Sequence, residues 1–385
     1  MRLLYGLCGE GMGHATRSKV VISHLQKRGH EVLVAASGKA HEFLSQCCEP
    51  GLSLPIVGLT MRCEDGAMDL GGTIEENAKK LPAILGANAK AWSIAEAFRP
   101  NAVVTDFDSF AWLFARSHNL QVVSIDNGQI LTRCEHDRKI FGSHADGISA
   151  ASAFTKIKAP TADHFIVTSF FRAPLKPSCA TNTTLVPPIL RDEVLRKAIS
   201  YQQSAFSEDK IRSRAESCRL TADRSPVLVY KTASLDDRSV LEPLSCLPGP
   251  LFTVYGLRDQ HVLPPNITPR VFDEKVFVTD LASCRAVIGS SGMSLLGEAL
   301  ALGKPVFTVP VRGQYEQVLN ACYLRACEYG VFEETLSSGA VSRFLANLDT
   351  FRTRIQASPQ HDGNRLLYAT LDRLFGSCAR ERYEP

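Results

Sequence analysis

Short apolar, β-branched runs recur along the chain, and most are followed by a stretch whose apolar residues return at helical spacing. The first, Arg2 to Cys8, leads through a glycine turn into a segment with Val20, Val21 and Leu25 at helical intervals. Further runs at Glu31 to Ala35, Ala102 to Thr105, Gln121 to Ile125 and His164 to Thr168 read as strands. Such alternation predicts a parallel sheet with helices on both faces. The pattern breaks at RAPLKPSCATNTTLVPP, Arg172 to Pro188, where four prolines and a polar run deny helix and interior strand and predict a connecting segment. A second alternation follows, with strands at Val227 to Tyr230, Leu251 to Tyr255, Arg270 to Phe272, Ala286 to Ile288 and Pro305 to Val309. From Ser342 onward the chain reads as charged helix that packs across the hinge. Two α/β domains are therefore expected: residues 1–172, a linker over 173–188, a second domain over 189–350, and a C-terminal helical segment over 351–385.

Two glycine turns stand where strands give way to helices. The first is GEGMGH, Gly9 to His14, with Gly9, Gly11 and Gly13 ahead of the first helix. A strand, a glycine turn and a helix start bring backbone N–H groups close to a ligand. The spacing lacks the last glycine of the dinucleotide fingerprint, and the second strand ends in Ala, Ser and Gly rather than an acidic residue for a ribose, so a dinucleotide-binding dehydrogenase is disfavoured. The second turn is Ser290, Ser291 and Gly292, between the strand ending at Gly289 and a helix over Met293 to Leu302. The start of that helix suits a diphosphate. Glu298, about two turns in, is placed to accept hydrogen bonds from ribose hydroxyls. Beyond Pro310, Gln314, Glu316, Gln317 and Asn320 cluster at a loop-to-helix entry, polar groups of the kind that a sugar needs.

Composition narrows the class. The 385 residues are 45% hydrophobic and 22% charged, ordinary for a globular protein and long enough for two cores. Lys plus Arg number 43 against 40 for Asp plus Glu, a net +3 too balanced for nucleic acid as a principal partner. No apolar stretch of transmembrane length and no signal-peptide pattern are seen, so a cytoplasmic protein is expected. Basic positions at Lys27, Arg28, Arg373, Arg380 and Arg382 leave open a peripheral contact with the inner face of a membrane, although a solvated face explains them as well. Twelve cysteines without C-x-x-C pairs are expected to be reduced and mostly buried. The histidines show no ligand spacing, so no metal site is expected.

The stretch Ser-Gly-x-Ser-x-x-x-Glu-Ala-x-x-x-Gly-x-Pro from Ser291, followed by Glu316-Gln317-x-x-Asn320-Ala321, resembles the donor site of GT-B glycosyltransferases. It is most similar to the group holding the UDP-glucuronosyltransferases and the peptidoglycan N-acetylglucosaminyl transferase, and Gly11-x-Gly13-His14 resembles that group's acceptor-side loop. The resemblance implies an α/β fold with two Rossmann-like domains and a cleft between them. It implies an inverting, metal-independent transfer from a nucleoside diphosphate sugar, UDP being the expected nucleotide, with no further cofactor. Gly292 and Ser294 would cradle the diphosphate, Glu298 the ribose, and Glu316 with Gln317 the sugar. His14 would be general base, a role suited to a side chain whose ordinary pKa is about 6.5. Asp106 in VVTDFDSF matches the position of an orienting aspartate, with Asp108 and Asp126 as alternatives.

Some positions depart from that pattern or admit plainer readings. Glu10 puts a carboxylate inside the first turn, on the acceptor side or as a second base. The plant-type Trp-Cys pair is absent, and Phe272 to Thr279 occupies the region that usually clamps the base. Without the resemblance, His14 reads as a helix cap, and Gln317 and Asn320 also fit caps. Arg172, Lys176, Arg191 and Lys231 read as solvated cations rather than phosphate ligands. Glu10, Asp106 and Glu298 would be the acids of a UDP-N-acetylglucosamine 2-epimerase-like alternative, and a non-catalytic nucleotide-sugar sensor is a third reading. The acceptor loops are expected over Met61 to Leu81 and Asp126 to Ala150, taking a polar or lipid-linked saccharide, as in cell-surface polysaccharide synthesis.

Overall fold

The computed structural model describes residues 1–9, 12–46, 52–59, 62–64, 67–158, 161–205, 225–232, 235–258, 262–358 and 363–376. Glu10 and Gly11 lie outside the described residues.

Two parallel sheets form, one in each half. The first runs in the order Ser53–Pro55, Glu31–Ala36, Arg2–Leu7, Ala102–Asp106, Gln121–Asp126, His164–Thr168, Thr183–Val186. The second runs Ile267–Arg270, Phe252–Tyr255, Val227–Tyr230, Ala286–Gly289, Val306–Thr308, Gly330–Phe332. The central strands are apolar on both faces because helices cover both, which is why their sequences read as unbroken runs. This is the expected α/β fold with two Rossmann-like domains.

In each sheet the strand order reverses beside one strand. Arg2–Leu7 pairs Glu31–Ala36 on one side and Ala102–Asp106 on the other. Val227–Tyr230 likewise sits between Phe252–Tyr255 and Ala286–Gly289. A crevice opens at the carboxyl end of a sheet where the order reverses. Both glycine turns lie at such ends. Gly9 is required there for a close approach, since a Cβ would stand 2.1 Å from the Ser37 carbonyl oxygen.

Short edge strands escaped the sequence pattern. The segment expected to be a plain linker contains the strand Thr183–Val186, which closes the first sheet against His164–Thr168. Proline denies an interior strand, but this strand lies at an edge, between Pro177 and Pro187. In the second sheet the strand expected at Arg270 to Phe272 lies at Ile267–Arg270, where only Ile267 is buried.

The boundary expected at residue 350 falls inside the helix Leu348–Gln356, whose Leu348 belongs to the second domain's core. The chain instead crosses back at Asn364, whose side-chain amide accepts from Leu190 N at 3.0 Å and donates to Leu190 O at 2.8 Å. The helix Arg365–Phe375 then lays Leu367, Leu371 and Phe375 on the first domain's core. No helix among the described residues is long and apolar enough to cross a membrane.

Candidate active site

The strand Arg2–Leu7 delivers the first turn to the start of the helix Met12–Lys27, which carries His14, Arg17 and Ser18. Its neighbour Ala102–Asp106 ends in Asp106 at the same sheet edge, in register with Leu7. Asp106 is fully buried and gathers three side chains through four contacts. His14 Nδ1 lies 2.8 Å from Oδ1, and Arg17 Nε donates to Oδ2 at 2.7 Å while its Nη2 donates to Oδ1. Ser18 Oγ donates to Oδ2 at 3.1 Å and in turn accepts from Tyr5. Burial alone would raise the Asp106 carboxyl, but Arg17 and then His14 reverse that and hold it well below the usual carboxylate range. Asp106 is therefore an anion at neutral pH.

Arg17 Nη2 also lies 2.8 Å from His14 Nδ1. A guanidinium only donates and a carboxylate only accepts. The ring nitrogen thus meets an acceptor in Asp106 and a donor in Arg17, and the balance between them sets where the imidazole proton resides. With Nδ1–H given to Asp106, Nε2 keeps its lone pair.

The other two candidate aspartates have different partners. Asp108 accepts from Ala111 N at 2.8 Å and caps the helix Ser109–Ser117. Asp126 accepts from Gln129 N at 2.8 Å and from Ser124 Oγ at 2.9 Å, and burial raises its carboxyl. Between Asp106 and Asp108, Phe107 adopts φ +54°, a left-handed conformation unusual for a bulky residue. That local turn lets the two flanking carboxylates serve different helices. Its ring stacks beside that of His14, centroids 6.4 Å apart.

Across the cleft, Gly292 is the N-cap of the helix Met293–Ala301 with no side-chain cap, and a Cβ there would meet nothing within 4 Å. The helix start is open. Ser294 Oγ donates to Gly13 O at 3.0 Å, so the two glycine turns touch. Glu316 lies in the first turn of the helix Tyr315–Ala326 and points its carboxylate toward Gly128 and Asp126. Burial raises the Glu316 carboxyl, against the pull of Arg17 and His14.

The remaining predicted donor residues are engaged within the protein. Glu298 is buried and takes both Arg191 Nε at 2.7 Å and Nη2 at 2.6 Å. Gln317 donates to Gln314 Oε1 and accepts from Val311 N at 3.0 Å, bracing its own loop. Asn320 is fully buried and donates to Ser291 O at 3.0 Å and Asn127 Oδ1 at 3.2 Å, tying the two domains together. Two of the cations read as solvated are not: Arg191 is paired as above, and Lys231 is buried against Asp237 at 3.0 Å. Sequence reasoning passed over Arg17. Its signal was the three-residue spacing from His14 within one helix, which puts both side chains on one face.

A family model described as Glycosyl transferase family 1 matches residues 1–349. The chain belongs to that family. As a family 1 glycosyltransferase it acts on a nucleotide-sugar donor and an acceptor. It is 25% identical over 347 residues, 86% of this chain and 85% of the other, to an uncharacterized glycosyltransferase of Methanosarcina acetivorans. Its fold resembles the calicheamicin glycosyltransferase CalG4 with a TM-score of 0.61, at 17% identity over 98% of this chain and 99% of that one. Medicago truncatula UGT71G1, solved with UDP-glucose, also superposes at a TM-score of 0.61, at 13% identity over 96% and 97% of the two chains. These likenesses identify the two-sheet arrangement as the GT-B fold.

Proposed function

We propose that this glycosyltransferase is inverting and metal-independent, and that it moves a sugar from a UDP-sugar to an acceptor hydroxyl with His14 as general base. The observation that carries the reading is the His14–Asp106 pair beside an open helix start at Gly292, in two turns that touch. The acceptor hydroxyl gives its proton to His14 Nε2 as its oxygen attacks the anomeric carbon from the side opposite the diphosphate. The glycosidic bond forms as the bond to the diphosphate breaks, with inversion. Asp106, held ionised by Arg17, stabilises the imidazolium. The departing diphosphate takes the backbone N–H groups and positive end of the helix Met293–Ala301, together with Ser294 once its bond to Gly13 is released.

The nucleoside would enter a cavity of about 420 Å³ at the carboxyl ends of the second sheet, lined by Tyr230, Lys231, Gly289, Val311 and Arg312. Glu316 would hold the sugar hydroxyls, with Gln317 and Gln314 shaping the loop, while Glu298, expected from the sequence at the ribose, is tied to Arg191 and would brace the donor-side helix instead. The UDP-glucose carried by the Medicago truncatula protein supports a uridine donor here. Against a 2-epimerase reading, Asp106 and Glu298 are tied to Arg17 and Arg191 and are not available as free acids.

The test is transfer of labelled sugar from UDP-sugars by the purified protein in chelator, with product stereochemistry read by NMR. Undiminished transfer by His14→Ala, a retained anomeric configuration, or complete inactivation by the chelator each overturns part of this reading.

A further inference from the structure

The helix Tyr315–Ala326 lies on the donor side of the cleft, yet one of its faces meets the first domain. Glu316, Asn320 and Tyr323 stand at i, i+4 and i+7, one above another on that face. Glu316 points toward Gly128 and Asp126, and Asn320 donates to Asn127 Oδ1 at 3.2 Å. Tyr323 lies flat on Phe171, with ring centroids 3.7 Å and planes 5° apart. At ~1.5 Å per residue, Glu316 stands about 10 Å along the helix from Tyr323. Phe171 comes just ahead of the chain segment that joins the domains, so Tyr323 sits at the pivot between them.

The first domain grips this ring by more than the stack. The rings of His136 and Phe141 stand edge-on to it. The Tyr323 hydroxyl lies 2.9 Å from His136 Nδ1, and His136 Nε2 lies 2.9 Å from Ile130 O. A carbonyl only accepts, so Nε2 carries the ring proton and Nδ1 accepts from the Tyr323 hydroxyl. Burial pushes the Tyr323 phenol up to about 12, so it keeps that proton at neutral pH. Ile130 begins a short helix two residues past Gly128. The first-domain segment from Asp126 to His136 is therefore tied to the donor-side helix at Asn320 and again at Tyr323.

On its other side the same helix is fastened to the second glycine turn. Ser291 Oγ donates to Gln317 O at 2.6 Å, Asn320 donates to Ser291 O at 3.0 Å, and Val311 N donates to Gln317 Oε1 at 3.0 Å. Helix, turn and loop form one unit, and its distance from His14 is set by what joins it to the first domain. Two of those joints are weak. The bond from Ser294 to Gly13 is released when Ser294 turns to a diphosphate, and the Lys19–Glu274 pair is partly exposed. The stack of Tyr323 on Phe171 is buried, where an aromatic pair adds to the effect of its area.

We propose that Tyr323 is a positioning residue: its stack on Phe171 sets the distance between the donor-side unit of the second domain and His14. This deepens the proposed function and rests on the assignment of His14 as base. Tyr323 touches neither substrate. It acts through the helix, and a small misplacement of reacting groups is costly in rate.

The experiment compares Tyr323→Leu, which removes ring and hydroxyl, with Tyr323→Phe, which keeps the stack, in the full chain. Calorimetric titration gives Kd for UDP and the fraction of molecules that bind it, and kcat for sugar transfer is taken per UDP-binding molecule. Tyr323→Leu is expected to lower that kcat about 10- to 100-fold while Kd for UDP stays within about twofold. Tyr323→Phe is expected to stay within about threefold of the wild-type rate. Phe171→Leu removes the same stack from the first domain and serves where Tyr323→Leu fails to fold. Spin labels on non-canonical residues at Ser149 and Ala326, both exposed, are expected to show a longer or broader distance in Tyr323→Leu. A merely structural residue would lower the UDP-binding fraction and leave kcat per binding molecule unchanged, and that result overturns the proposal. An unchanged label distance, or equal losses in the Leu and Phe variants, overturns it too. A wild-type protein that binds UDP and transfers no sugar sinks the proposed reaction, and the label distance then decides the role of Tyr323. Full kcat in Tyr323→Leu upholds the reaction and sinks the positioning role.

Discussion

The molecule contains two buried arginine–carboxylate pairs of nearly the same geometry, and their surroundings give them different work. Arg17 grips Asp106 at the end of the first sheet, and Arg191 grips Glu298 beneath the second glycine turn. In each, burial disfavours the charges and the partner restores them. The first pair has a histidine at its edge whose side chain is 21% exposed to the cleft. The second has Glu274, bonded to Arg191 at 3.4 Å and to Lys19 of the first domain at 3.1 Å. Under the proposed function, one pair orients the base and the other braces the donor-side helix against its neighbour. Chemistry alone does not separate the two roles; the third group does.

The widest expected separation is in rate. His14→Ala should lower kcat by a factor of roughly 10² to 10⁴ while leaving donor binding near its original value, read by initial rates and by titration with UDP. A variant that keeps its rate removes the distinction between the pairs.

Breaking either pair from its arginine side is the next test. Arg17→Met and Arg191→Met each leave a buried carboxylate without its cation and should each lose about 3–5 kcal/mol in denaturant unfolding. Their kinetics should differ, with Arg17→Met falling in kcat and Arg191→Met rising in KM for the donor. Equal kcat effects would merge the two regions into one function.

Acid sharpens the comparison further. The Asp106 carboxyl is depressed in the folded state, so its contribution is fully present above the unfolded value near about 4 and is lost as pH falls below it. Thermal melts from neutral pH into that acid range should show a slope that Asp106→Asn reduces. An unchanged slope would show that Arg17 does not hold Asp106 ionised.

Smaller effects are expected where the two domains are only stitched together. Asn320→Ala removes buried hydrogen bonds to Asn127 and Ser291 and should cost about 1–3 kcal/mol. Lys19→Ala removes a partly exposed bond to Glu274 and should cost no more than about 1 kcal/mol. The difference between these two variants measures how much burial matters at the domain junction.

The amino-acid sequence by itself determined the two-domain α/β fold, because runs such as Val103–Val104 and Val287–Ile288 are apolar on both faces and only a covered parallel sheet accommodates them. It also marked both glycine turns, since close backbone approaches leave glycine in the chain itself. Edge strands as short as Thr183–Val186 and Ser53–Pro55 were not legible, because three or four residues carry no period. Nor was the crossing at Asn364, which is set by one side chain bonding a backbone 174 residues away. The tertiary structure alone singled out Asp106 from Asp108 and Asp126, brought in Arg17, and paired Glu298 with Arg191. It also laid Tyr323 on Phe171, two rings that come from different domains. Periodicity is local and survives in one dimension. The choice of partner for a charge, and the stacking of two rings, exist only after distant segments have packed.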